Sequence, residues 1–175
     1  MKLKVIFIGI FSLAVMISAQ VSAAELVYKA TAKGSDEEKA ILALFDKAMK
    51  ASAKEDLEAV ISLYSAKYLN AGYNRTDMTN SWKKIFNHFD KIEMHHNVYQ
   101  IEVSADGTRA RMRCGGILSG LDTAGGSGLI ASGNELVVID SWSQSVHEFI
   151  KEDGQWKIYG NQVDFDIGQE RHVLF

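Results

Sequence analysis

Two periods of apolar residues divide the chain. Between Ser35 and Phe89 apolar residues recur three and four apart, and from Ile92 onward they alternate with polar ones. The first spacing marks one face of a helix, and the second marks a half-buried strand. Ser35-Asp36-Glu37-Glu38 has the form of a capping box, with serine at the cap and glutamate three residues later. Ile41, Leu44, Phe45, Ala48 and Met49 then share the apolar face of a helix predicted from about Asp36 to Ala53. A second set, Leu57, Val60, Ile61, Tyr64 and Tyr68, predicts a second helix ending near Asn70, before Gly72. Thr76 or Asp77 caps a third, whose apolar face is Met78, Trp82, Ile85, Phe86 and Phe89.

The alternating half contains two Asp-Gly turns, Asp106-Gly107 and Asp153-Gly154, each the strongest short signal for a hairpin. Counting outward from the first sets Ser104 opposite Arg109, Glu102 opposite Arg111 and Gln100 opposite Arg113. Val103, Ile101 and Tyr99 then face Ala110, Met112 and Cys114. One face is charged and the other apolar, as in a sheet covered on one side. Arg109, Arg111 and Arg113 accordingly read as a solvated face or subunit contact, with an anion site as the alternative. Residues 115–135 are glycine-rich but lack the Gly-Lys-Ser/Thr ending of a phosphate loop. They read as a long mobile connection between strands, or as a lid over a pocket. A strand from Leu136 to Lys151 and a partner from Trp156 to about Phe165 complete an α+β order.

The ends and the composition narrow the class. Lys2 and Lys4 precede an apolar run from Val5 to about Ala19 and the small residues Val21-Ser22-Ala23, the pattern of a secretory signal peptide over residues 1–23. Removing it leaves 152 of 175 residues, one domain with room for a core, and takes the formal net charge from −3 to about −5. Export to the periplasm or beyond the cell follows, with no stable membrane anchor after cleavage. The mild acidity gives no electrostatic reason to expect nucleic acid as a partner. Cys114 is the only cysteine, so no internal disulfide forms, and its place in an alternating strand reads as a small buried residue.

The order of elements, the stretch AILALFDKAMKASAKEDLEAVISLYSAKYL with its Leu63-Tyr64, and the final FIKEDGQWKIYGNQ together resemble the NTF2-like superfamily, particularly its SnoaL-like branch. The likeness covers about residues 36–165, between a lead of residues 24–35 and a tail of residues 166–175. It implies a cone: three N-terminal helices packed on a strongly curved antiparallel sheet, with a cavity at the open end and often a homodimer. It also implies either ligand binding or isomerase, cyclase, dehydratase or hydrolase chemistry, since a fold hosts many functions. Two positions depart from the family's pattern. Ser65-Ala66 stand where acidic residues often follow Leu-Tyr, and Gln162 stands where a histidine is common after the last strand.

Candidate chemistry centres on the last hairpin. Its register sets Lys151 opposite Trp156, Phe149 opposite Ile158, His147 opposite Gly160 and Ser145 opposite Gln162. His147, Ser145 and Gln162 thereby share an inner face, with His147 as the acid or base. Asp140 has the opposite parity and joins His147 only if a bulge intervenes. Tyr64, Tyr68, Trp82 and Phe86 offer an aromatic wall for a small, partly apolar ligand, or core packing. His95 and His96 point to opposite sheet faces and cannot readily hold one metal. Neither a metal nor a cofactor is implied. The sequence thus predicts ligand or partner binding, with a His147-dependent enzyme and a purely structural dimer module as alternatives.

Overall fold

The computed structural model describes residues 26–123 and 136–163. The predicted signal peptide, much of the glycine-rich connection and the C-terminal tail lie outside the described residues. In chain order the elements are β1 (Tyr28–Ala30), α1 (Asp36–Ser52), α2 (Leu57–Ser62), β2 (Leu69–Asn70), β3 (Tyr73–Asn74), α3 (Arg75–His88), β4 (Phe89–Ser104), β5 (Arg109–Asp122), β6 (Leu136–Glu152) and β7 (Gln155–Ile158). Five strands form one curved antiparallel sheet in the order β1-β4-β5-β6-β7, and β2 and β3 form a small ladder of their own. No helix among the described residues is long and apolar enough to cross a membrane.

Helix α1 starts where its cap requires. Ser35 is extended, and its hydroxyl accepts from the Glu38 N–H while the Glu38 carboxylate accepts from the Gly34 N–H. Its buried face is Ile41, Leu44, Phe45, Ala48 and Ala51, close to the predicted stripe. The second helix is shorter than its apolar period. It ends at Ser62 rather than near Asn70, because the backbone beyond it is taken by the sheet. Ser65 N–H donates to the Ile158 carbonyl at 2.8 Å, and Ile158 N–H donates to the Leu63 carbonyl at 2.9 Å. Tyr64 therefore lies beside β7 in a parallel bridge instead of on a further helical turn. The third helix begins earlier than expected, capped by Asn74, with Asp77 completing the box from the third position.

The lead before α1 also contributes a strand that no period announced. Tyr28, Lys29 and Ala30 pair with Ser104, Val103 and Glu102. The first hairpin follows the predicted register from Val103–Ala110 back to Gln100–Arg113. There a bulge intervenes, and Val98, not Tyr99, stands opposite Cys114. Tyr99 is left on the outer face. Gly115 to Asp122 were expected in a connection, but they extend β5 against both neighbours.

The last strand is likewise shorter than predicted. It pairs as counted at Lys151–Trp156 and Phe149–Ile158, keeps a last hold on β6 where the Tyr159 and Gly160 N–H groups both donate to the Glu148 carbonyl, and then leaves it. Leu69 N–H donates to the Tyr159 carbonyl and Gln162 N–H to the Leu69 carbonyl, so the chain crosses to the β2 segment. Gly160 permits this crossing. It has φ +78°, and a Cβ there would lie 2.3 Å from the Leu69 carbonyl oxygen. The helices and the inner face of the sheet enclose one core that includes Phe45, Trp82, Ile92, Met112, Leu118, Phe149 and Ile158.

Candidate functional site

Two bulges determine which side chains meet inside. Along β4 the inner positions are Met94, His96 and Val98 on one side of the Tyr99 bulge and Ile101 and Val103 on the other, each opposite an inner residue of β5. His96 therefore faces the core, whereas its neighbour His95 is exposed, 3.8 Å from the Glu93 carboxylate. The second bulge lies in β6, where Ser145 opposes Cys114 but Trp142 opposes Gly116. Gln144, with φ +56°, absorbs the extra residue. Without it Trp142 and His147 would lie on opposite faces. With it both point inward.

The result is a compact group of rings. Phe45 of α1 lies edge-on to His96 with ring centroids 4.6 Å apart, and its centroid is 5.8 Å from that of His147. Trp142 stands 4.9 Å from His96 and 6.1 Å from His147, and the two imidazoles are 6.4 Å apart. His147 is 1% exposed, deep in this group, while His96 is half-buried in front of it. Burial, reinforced by the positive charge His95 can carry, lowers the His96 pKa to about 4. At neutral pH its ring is uncharged and can accept or donate one hydrogen bond.

Cys114 and Gly116 seat the indole. Trp142 Nε1–H donates to Cys114 Sγ at 3.3 Å, and burial pushes the thiol pKa up to about 11, so the sulfur is a packing and acceptor group rather than a nucleophile. A Cβ on Gly116 would lie 2.3 Å from the Trp142 ring and 2.6 Å from the His95 carbonyl oxygen. Only glycine lets the indole lie this close to the strand.

The bulge also bears on Asp140, which pairs with the buried Leu118 on the inner register. Asp140 is half-buried, and its Oδ1 accepts from the Ser141 N–H at 2.8 Å. Gln162 is elsewhere. Its amide donates to the Tyr159 carbonyl at 2.7 Å and to the Lys67 carbonyl at 3.2 Å, because the chain has left β6 before reaching the predicted positions opposite His147 and Ser145. Ser145 does lie on the inner register, opposite Cys114.

The predicted aromatic wall forms a second group, between α3 and the Tyr64 bridge. Trp82 Nε1–H donates to Tyr64 Oη at 3.0 Å, Tyr64 and Tyr68 meet edge to face at 5.0 Å, and Trp82 and Phe86 are 5.3 Å apart. Tyr64, Tyr68 and Trp82 are buried and Phe86 is partly so. Burial holds both tyrosine pKa values above the usual phenol range. No group of three or more His, Cys, Asp or Glu among the described residues is arranged to hold a metal ion.

Sequence reasoning missed His96, Trp142 and Phe45 as partners of His147. The signal for His96 was present: apolar residues fall on even numbers at Ile92, Met94 and Val98, then on odd numbers at Ile101 and Val103. A change of phase inside one strand marks a bulge.

No protein-family model matches the chain, and no curated protein matches it. Solved structures do. A ketosteroid isomerase-like protein from Erwinia carotovora atroseptica is 16% identical with a TM-score of 0.54, over 72% of this chain and 93% of that one. A protein from Novosphingobium aromaticivorans, provisionally named a scytalone dehydratase, is 16% identical with a TM-score of 0.54, over 71% of this chain and 80% of that one. A protein of the NTF2-like family from Streptomyces avermitilis, provisionally named a dehydratase, is 15% identical with a TM-score of 0.52, over 70% of this chain and 92% of that one. Identities this low carry the architecture and not the chemistry. The curved antiparallel sheet, the helices against its inner face and these likenesses together give the chain the NTF2-like fold.

Proposed function

We propose that the chain is an exported, SnoaL-like member of the NTF2-like superfamily whose cone of three helices and curved sheet binds a small, partly apolar ligand. The observation that carries this reading is the inward group of Phe45, His96, Trp142 and His147. The rings of Phe45 and Trp142 supply the apolar surface that the flat body of such a ligand would contact. The half-buried His96, uncharged at neutral pH, supplies one polar point for orientation. A pKa near 4 makes it a weak base, which favours hydrogen bonding to a ligand over proton abstraction. Pairing as a homodimer through the outer sheet face fits the exposure of Tyr99 and Val146 there.

A second reading is proton-transfer or hydrolytic chemistry with His147 as acid or base and Asp140 as its orienter. It is favoured by Asp140 and His147 sharing the inner register of β6, and by the names of two structural neighbours, one ketosteroid isomerase-like and one provisionally a scytalone dehydratase. Native mass spectrometry of the protein from its exported compartment tests the first reading. A retained small molecule and a dimer mass are expected, and 2-naphthol is expected to quench tryptophan emission saturably, about fivefold more weakly in His96→Phe, the worth of one hydrogen bond. Absence of both a retained mass and saturable quenching would sink it. Deuterium exchange next to a ketone carbonyl, lost in His147→Gln and kept in His96→Gln, would favour the enzyme instead.

A further inference from the structure

On the far side of α1 from the histidines, Ala40, Ala43, Lys47 and Lys50 fall on one stripe at helical spacing, and Lys54 continues it just past the helix end. Two depressions of about 270 Å³ each flank this stripe and share Lys47 and Leu63 in their linings. One runs from Ala40 and Ala43 to Trp156 and the β6–β7 turn. The other runs past Ala51 to Ala59 in α2. Together they form a groove with an apolar floor, Leu44, Leu63 and Trp156, and small residues on one wall where another backbone can approach closely.

Its rim is basic on a chain whose formal net charge is −3. None of Lys47, Lys50 and Lys54 has an acidic partner among the described residues, and all three are exposed. Lys157 is already used, its amine donating to the Ser62 carbonyl at 2.7 Å. Asp56 is the only acid in either lining among the described residues, and its carboxylate accepts from the Ala59 N–H to cap α2.

We infer that this groove docks an acidic segment of a partner protein, one that carries apolar side chains between its carboxylates. Lys47 to Lys54 spread three ammonium groups over roughly 10 Å of helix axis, a span matched by several carboxylates and not by one. The apolar floor requires side chains to fill it, which a plain polyanion lacks. A flat or concave surface would leave both depressions empty, so a peptide ridge fits where a membrane plane does not. The inference stands apart from the ligand reading, since no groove residue belongs to the histidine group.

Fluorescence anisotropy with a labelled synthetic peptide carrying Glu at helical spacing with Leu between tests this on the full protein. Saturable binding that weakens with salt is expected. The combined Lys47→Glu, Lys50→Glu and Lys54→Glu variant is expected to bind about tenfold or more weakly, as three exposed ion pairs are lost and reversed. Lys83→Glu with Lys84→Glu, an equal-sign change on α3, should leave affinity within about twofold and so control for net charge. Exposed lysines can be exchanged without loss of fold, which circular dichroism checks. The inference is overturned by absent saturable binding, by equal affinity in the triple variant, by equal weakening in the α3 control, or by polyglutamate binding as tightly as the peptide.

Discussion

The two faces of β4, β5 and β6 are built from the same alternation and behave as different materials. Inside, Ala110, Met112, Cys114, Leu118 and Phe149 are buried together with His147. Outside, Arg111 pairs with Glu102 and lies over the Tyr28 ring at 4.4 Å, and Arg109 lies over Tyr159 at 4.0 Å. Arg111, Arg113, Gln100 and Val146 line a depression there of only about 100 Å³, which supports the reading of the arginines as a solvated or contact face. Inner side chains are fixed by packing that fills space, so a change of shape has nowhere to go. Outer side chains are long, stacked and wet, and can move aside. Polar groups differ accordingly: the inner His96 is held neutral, while the outer Glu148 is held among arginines that partly offset its burial.

The sharpest way to break this contrast is to remove volume from each face in turn. Phe149 is fully buried and meets Phe45 at 5.7 Å, so Phe149→Ala should lose about 3–5 kcal/mol in urea unfolding. Val146, three residues away and 47% exposed, should change by less than about 0.5 kcal/mol when cut to alanine. Comparable losses at the two sites would mean that the faces do not differ.

Adding volume gives a smaller difference. Gly116→Ala drives a methyl into the Trp142 ring and the His95 carbonyl, and should cost about 1–3 kcal/mol with an altered near-ultraviolet signal from the indole. At Gly115 the nearest atom to an added Cβ is the Tyr99 hydroxyl at 2.9 Å, the free end of an exposed side chain. Gly115→Ala should cost less than Gly116→Ala and leave that signal unchanged. The reverse order would contradict the assignment of faces.

A third difference is a pair of opposed pH slopes. His96 has a folded pKa of about 4 against an ordinary 6.5. The unfolded chain therefore binds more protons in that window, and stability falls as pH drops from about 6.5 toward 4. Glu148 is shifted upward, by burial first. Its folded form keeps a proton that the unfolded form releases, so its contribution is present at low pH and is lost as pH rises through the folded value. In urea midpoints followed against pH, His96→Gln should flatten the acid-side loss and Glu148→Gln should steepen it. Tilts in the same direction would show that one of the two groups is not placed as described.

Much of this contrast was legible residue by residue. The apolar period set α1 and α3 to within a few residues, and the two Asp-Gly turns set the near register of both hairpins. The distal parts were less legible, because registers counted from a turn accumulate error at each bulge. Tyr99 and Gln144 each insert one residue, and each exchanges the inner and outer sets beyond it as far as the next register shift. That is why His96, Trp142 and Asp140 had to be read from the fold, and why Gln162, counted through a strand that ends at Ile158, was set in the wrong place. The second helix erred for another reason. Its period continues through Tyr64 and Tyr68, but a backbone bond to β7 competes with the next helical turn, and side-chain spacing carries no record of that competition.

By itself, then, the sequence determined what depends on neighbours a few residues apart: caps, turns, helix stripes and the alternation that gives the sheet one charged and one apolar face. Tertiary structure alone decided which residues from distant segments share a site. Phe45, His96, Trp142 and His147 meet because two bulges shift strand phase and because α1 lies across that face of the sheet. Each of those events is stabilised by contacts between segments tens of residues apart. A local pattern fixes periodicity along one strand or helix, whereas the pairing of phases between strands is a property of the assembled sheet.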